Sequence, residues 1–428
     1  MHIMTSAAAA VALGCAGLAQ AAPPPPPATP FDAIVAGKPI LEVRTRYEDV
    51  DQTGFAADAQ AITVRTRLGW ETAKWNDLKA LVELENVGHL GPEHFAVNVP
   101  GAATPPLNGP AKAKYPIVND PDVTELNRAQ LTWTPSTAFA ATAGRQRILI
   151  DDQRFVGNVG WRQDEQTFDG VRADLTLGQV KATYAYIGRV NRILGDLKDW
   201  DSDSHLINAA WSPAEALRLE GFVYALDFSS STINASITKG LRASGKAKFG
   251  AYGLAYEATW ANQTDWRGRT APFDLDYVAA AATASLDIWS ARLGYESLEG
   301  DGKRGFTTPL ATTHGFQGWA DAWVSPGGNK SFVDGIVDRN ATLGVKPRLT
   351  WAPKAHPDLT VRYHDFEDQR TGAALAHEWD LQAAAALTPK LSIALKYADF
   401  QRETTVPLGT ATPPASRTKV WLTLEFKL

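Results

Sequence analysis

Cysteine is nearly absent: there is one in 428 residues, Cys15. Without a second thiol the chain has no disulfide framework, and without a cluster of them no thiolate metal site. Long apolar runs are also missing. None reaches the roughly 18 residues that a spanning helix needs, so a helical membrane protein is excluded. Neither sign of charge is in large surplus. Lys+Arg number 42 and Asp+Glu 47, a formal net charge of -5, whereas a nucleic-acid binder is usually basic. No phosphate loop or dinucleotide fingerprint is present. Aromatics at 10% and charged residues at 21% argue against disorder. What the chain has in quantity is tryptophan, 14 of them, a ring with an apolar body and one polar edge.

The first segment reads as an address. Residues 5–19 are small and apolar almost throughout, and Ala19-Gln20-Ala21 fits the A-x-A cleavage pattern of an export signal. Residues 1–21 are therefore expected to be a signal peptide. Lipidation at Cys15 is the rival, although Ala12 stands where a lipobox places a large aliphatic residue. Pro23 to Pro27 form an unbroken proline run, so residues 22–38 read as a Pro-rich periplasmic tail, stiff and extended at the prolines.

From residue 39 onward the signal is strict alternation. Leu41, Val43, Thr45 and Tyr47 share one face, and Glu42, Arg44, Arg46 and Glu48 the other. Ile62, Val64, Thr66, Leu68 and Trp70 oppose Thr63, Arg65 and Arg67. Val171, Ala173 and Leu175 oppose Arg172 and Asp174; at the end, Leu422, Leu424 and Phe426 oppose Thr423 and Glu425. Period two means strands with one apolar and one polar face. Connections alternate in length. Tight ones include Leu177-Gly178-Gln179 and Thr388-Pro389-Lys390; between them lie polar stretches such as 87–125, 148–167 and 299–338. Short turns on one side and long loops on the other are how outer-membrane barrels are built.

The expected fold is all-β: a transmembrane up-and-down antiparallel β-barrel over residues 39–428, with about 18 strands, short periplasmic turns and long extracellular loops. The strands are expected at 39–48, 60–71, 77–86, 126–133, 138–147, 168–177, 180–187, 204–211, 217–227, 239–247, 249–261, 275–285, 287–298, 339–350, 358–366, 377–387, 391–401 and 417–428. Around Ala279 to Ala284 both faces are small, and parity is unreadable there. Trp70, Trp133, Trp211, Trp289, Trp351, Trp379 and Trp421 fall near strand ends, where girdle aromatics sit in a bacterial outer membrane. The expected partners are outer-membrane lipid and, through the last strand 417–428, the barrel assembly machinery.

A barrel this wide has room for an aqueous lumen. Arg44 and Arg46 must face the same way, as must Arg65 and Arg67 on the adjacent strand, so a patch of four guanidiniums is expected on the inner wall. Arg128 and Arg172 extend the polar face. Arg145 and Arg147 flank Gln146, where parity with Phe139 is awkward and implies a bulge or loop position. The following segment carries Asp151, Asp152 and Arg154 and has the composition of a loop that folds inward and narrows the pore. Guanidinium suits carboxylate, and a cationic lumen concentrates anions. The expected solute is an anionic small molecule or polysaccharide. The alternative is structural: Glu42, Glu48, Glu71, Glu83 and Glu85 lie on the same or the next strands and suit a cross-strand ion-pair ladder.

Several blocks resemble the alginate export porin family: Ala61–Thr72 (AITVRTRLGWET), Gly144–Gly157 (GRQRILIDDQRFVG), Thr307–Asp321 (TTPLATTHGFQGWAD), Tyr363–Phe366 (YHDF) and Leu391–Phe400 (LSIALKYADF). The resemblance implies an 18-stranded barrel with an arginine-rich constriction, passing a uronate-type polysaccharide or its fragments, with Arg65, Arg67, Arg145, Arg147 and Arg154 at the family's arginine positions. Other readings are a non-selective diffusion porin, or a surface-adhesion barrel acting through the 299–338 loop. An enzyme in the wall finds little support. His364 shares parity with Arg362 and so faces inward, away from lipid, and His377 is a candidate by type only. His89, Glu93 and His94 match no metal spacing, and Asn119-Asp120-Pro121-Asp122 has too few ligands for a dedicated Ca²⁺ site. No cofactor is expected.

Overall fold

The structure is a computed structural model and describes residues 26–97, 105–324, 332–348, 356–404 and 413–428. The expected signal peptide, Cys15, Pro23 to Pro25 and the girdle position Trp351 lie outside the described residues. The described chain opens with a six-residue helix, α1 (Pro30–Val35), and continues into an 18-stranded sheet. The strands are β1 (Lys38–Gln52), β2 (Ala59–Glu71), β3 (Leu78–His89), β4 (Val123–Ser136), β5 (Phe139–Gln146), β6 (Thr167–Leu177), β7 (Val180–Asn191), β8 (Trp200–Ala214) and β9 (Leu217–Leu226). The second half is β10 (Ser236–Phe249), β11 (Tyr252–Thr264), β12 (Asp274–Leu286), β13 (Trp289–Glu299), β14 (Gly335–Val345), β15 (His356–Asp368), β16 (Ala374–Thr388), β17 (Leu391–Arg402) and β18 (Arg417–Lys427). Each strand pairs antiparallel with its neighbours in sequence, and β1 pairs with both β2 and β18, so the sheet closes into a barrel.

Closure has a physical cause. Outward-facing residues are apolar and uncovered: Leu68, Leu131, Trp133, Trp211, Leu293 and Leu422 are all exposed. In hydrocarbon a strand with such a face must have every backbone group paired, which only a closed sheet provides. Exposed Trp70, Trp133, Trp211, Phe249, Tyr252 and Trp289 stand at the short-turn ends as one girdle, and Trp379 stands towards the loop end. Trp421 is different. It is 0% exposed and faces the lumen, as its parity with Thr423 and Glu425 requires, so it is not a girdle residue.

All 18 expected strands are present. Several run three or four residues further on the loop side, as in β1 to Gln52 and β8 from Trp200. There the ladder has risen past the apolar belt, both faces are polar, and alternation fades as a signal. In the weak stretch of β12, Leu275, Tyr277 and Ala279 point inward while Val278 is outward. The Pro-rich tail also departs from expectation at its end. Thr29 and Asp32 form a reciprocal capping box, with Pro30 in the first turn, and start α1.

The main apolar core lies inside the barrel. Two long loops fold inward: β5–β6 (147–166) and, in its described residues 300–324 and 332–334, β13–β14. Their Ile148, Val156, Phe306 and Leu310 pack with wall residues including Phe168 and Phe222.

A charged constriction in the lumen as candidate functional site

The β1–β2 register puts Arg44 opposite Arg65 and Glu42 opposite Arg67. The four-arginine patch therefore exists, but it is laced with acid. Arg44 Nε lies 3.0 Å from Glu425 of β18, and Arg65 Nη2 lies 3.2 Å from Glu42 and 3.1 Å from Glu425. Arg67 bonds Glu85 and sits 3.3 Å from both Glu42 and Glu165. Arg65 is 0% exposed. The ladder continues on β4, where Arg128 grips Glu83 through two bonds of 2.8 and 2.6 Å. A register shift beside Glu83 lets consecutive residues Asn127 and Arg128 both reach that carboxylate. Arg147, just beyond β5, lies 2.6 Å from Glu165 and 3.4 Å from Glu83. On this side of the lumen the ion-pair ladder is formed, and the arginines and carboxylates largely offset one another.

The β5–β6 loop is tied to the wall by its charged residues. Asp151, Gln153 and Val159 adopt positive φ, which gives the loop its sharp reversals. Asp152 accepts a bond from the Arg154 backbone N–H and pairs with Arg242 of β10 at 2.8 Å. Arg154 is buried, with Nε 2.5 Å from Glu296 of β13 and Nη1 2.8 Å from Thr308 Oγ1. Arg162 bridges Glu48 and Asp120 at 2.9 and 3.0 Å. Burial raises the Asp120 carboxyl, but Arg162 and Arg46 outweigh it and hold the group below the usual carboxylate range. Asp164 goes the other way. It is fully buried, and desolvation together with Glu125 and Glu85 pushes it well above that range, towards its neutral form. Burial alone would raise its neighbour Glu165 too, yet Arg67 and Arg147 hold that group low and ionised.

The β13–β14 loop completes the constriction. It joins the β5–β6 loop through a parallel bridge between Val156 and Leu310 and a bond from Thr312 to Gln153. Trp161 stacks flat on His314, with ring centroids 3.7 Å apart. Lys396 of β17 places its ammonium 4.2 Å from the Trp161 ring and 4.0 Å from the Trp319 ring, and so joins the wall to both loops. Arg46 lies 4.1 Å over Trp161 and donates to the Trp161 carbonyl and to Thr423. Arg362 of β15 donates to Thr342 and to the Gly315 carbonyl. Among the described residues none of these three cations has a carboxylate within ion-pair distance.

Beside this cluster remains a cavity of about 240 Å³. It exists because the wall there is small: Ala279, Ala281 and Gly294 line it. Its charged rim is Arg242, Arg292, Arg362 and Arg154 facing Asp152, Glu257, Glu296 and Asp338. His364 is inward-facing, as its parity requires, and is held by Asp338 at 2.9 Å and Asp380 at 3.5 Å. Among the described residues no group of three or more His, Cys, Asp or Glu is arranged to hold a metal ion.

Of the arginines singled out in the sequence, Arg44, Arg46, Arg65, Arg67, Arg128, Arg147 and Arg154 face the lumen or its loops. Arg172 also faces inward but pairs with Asp174 and lines a separate cavity of about 220 Å³. Arg145 stands apart. It keeps the parity of Phe139, pairs with Asp169 at 2.7 Å and has no contact with the ladder. Arg242 and Arg292 were not singled out, although each stands on an alternating strand. Nor was Lys396, whose position on the inward face of β17 was the available signal.

The alginate export family profile matches residues 41–371. No curated protein matches the sequence. Similar solved structures include OccAB2 of Acinetobacter baumannii (14% identity, TM-score 0.69, 92% of this chain and 99% of that one). Others are OccAB4 of the same species (13%, 0.67, 92% and 98%) and the outer membrane protein OpdK of Pseudomonas aeruginosa (14%, 0.66, 92% and 99%). At such identity these share the fold, that of an outer-membrane porin. With the profile spanning most of the barrel, the chain belongs to the alginate export family and is a β-barrel of the bacterial outer membrane.

Proposed function

We propose that the protein is an outer-membrane channel for small, carboxylate-bearing anionic solutes, uronate-type saccharides among them. The observation that carries this reading is the trio Arg46, Arg362 and Lys396. They face the lumen held by hydroxyls, carbonyls, tryptophan faces and, for Lys396, the His314 ring at 3.3 Å, with no carboxylate within ion-pair distance among the described residues. The Arg46 and Arg362 guanidiniums stay charged, and such cations in a low-dielectric wall attract anions and repel cations. Size is set by the two loops. A cavity of about 240 Å³ is smaller than the roughly 300–1,000 Å³ of sites for drug-sized ligands, which favours single rings or short fragments over a polymer in this loop arrangement. OpdK has been solved with vanillate, a carboxylated ring, which is consistent in kind. Liposome swelling tests the reading. Sodium glucuronate should enter faster than glucose, after subtraction of protein-free controls. Equal rates, or faster glucose, would remove the anion preference, and no swelling with either would remove the channel.

A further inference from the structure

We propose that helix α1 is a membrane anchor, with its apolar face in the lipid of the periplasmic leaflet beside the barrel rim. Phe31, Ile34 and Val35 are spaced i, i+3, i+4 and share one helix face. They are 70%, 51% and 66% exposed. The opposite side rests on the barrel: Ala33 is buried, and its carbonyl accepts from the Ala73 N–H of the β2–β3 turn at 2.9 Å.

The helix is held by the girdle itself. Trp70 Nε1 donates to the Ile34 carbonyl at 2.8 Å, and Trp75 Nε1 donates to the Ala28 carbonyl at 3.3 Å. A Cβ at Gly37 would come within 2.3 Å of the Trp70 indole nitrogen, so the chain between helix and β1 runs in contact with that ring. Trp70 is an outward residue of the short-turn girdle, next to outward Leu68. The three apolar side chains therefore continue the lipid-facing belt. A six-residue helix is too short to persist on its own hydrogen bonds. Capping, the two indole bonds and insertion of an amphipathic face into the interface together account for it. Lipid is the occupant that this continuity selects.

The test is site-directed spin labelling of the full chain in a Cys15→Ser background, in phosphatidylethanolamine–phosphatidylglycerol liposomes. Labels go at Phe31→Cys, Ile34→Cys, Val35→Cys and Asp32→Cys. Leu68→Cys is the lipid reference and Gln179→Cys, in the β6–β7 turn, the water reference. Heat-modifiable gel mobility confirms a folded barrel for each variant. Collision with oxygen should exceed collision with a water-soluble nickel chelate at positions 31, 34 and 35, as at 68, while position 32 should sit nearer the water reference. Nickel access at 31, 34 and 35 equal to that at 179 overturns the proposal. So does shielding from both reagents, which would mean that a second copy or another protein covers the face. None of these readings depends on which solute the lumen passes.

Discussion

Replacing Arg154 with Ala should unlock the lumen. The guanidinium is buried, bonded to Glu296 and Thr308, and packed over the rings of Tyr277 and Phe316. Its loss leaves the Glu296 carboxylate buried with, among the described residues, the Tyr277 hydroxyl as its remaining bond. Removing one member of a buried ion pair costs about 3–5 kcal/mol. The strand ladders do not run through Arg154, so that cost falls on the inward position of the β5–β6 loop. At about 1.4 kcal/mol per tenfold, the balance between inward and displaced loop shifts roughly a hundredfold to a few thousandfold. In single-channel bilayer recordings the variant should show larger and noisier conductance than the parent. Adding Glu296→Gln removes the stranded charge and should restore much of the parental behaviour. If Arg154→Ala retains heat-modifiable mobility and its conductance and noise are unchanged, the loop is not held by this pair and the reasoning fails.

Other perturbations follow from the same contacts. Asp164 binds its proton more tightly when folded, so the folded state holds the extra proton and stability declines as pH rises from the unfolded carboxylate range towards the folded value. Asp164→Asn should flatten that decline and raise the unfolding temperature at neutral pH; an unaltered pH profile would show that the carboxyl is already ionised. Arg362→Gln with Lys396→Gln should move the zero-current potential towards cations, and an unmoved potential would show that these two groups do not set selectivity. Gly144 has φ of +111° with the Ala129 carbonyl 2.2 Å from where a Cβ would stand. Gly144→Ala should therefore destabilise the barrel by at least the roughly 1–3 kcal/mol of a strained residue, seen as a lower temperature for loss of the heat-modifiable band.

The barrel was legible because lipid and lumen write alternating residues directly into the chain. Arg44, Arg46, Arg65 and Arg67 are placed by parity alone, and so is His364. Trp421 was equally readable, since it shares a face with Glu425, but its nearness to a strand end suggested the girdle. Period two says which side chains face inward, not what fills the inside. The inward fold of 147–166 could be anticipated from its charged composition. The matching role of 300–324 could not, because the bridge of Val156 to Leu310 and the stack of Trp161 on His314 join segments about 150 residues apart. The same limit applies to the arginines. Whether a guanidinium meets solvent or a carboxylate depends on cross-strand register, and only the structure shows Arg65 neutralised between Glu42 and Glu425 while Arg362 is not.

The zero-current potential of the unmodified protein in a planar bilayer under a tenfold KCl gradient bears most directly on the cationic lumen. The account predicts a potential of the sign set by chloride carrying most of the current. A potential at zero, or of the sign set by potassium, contradicts it.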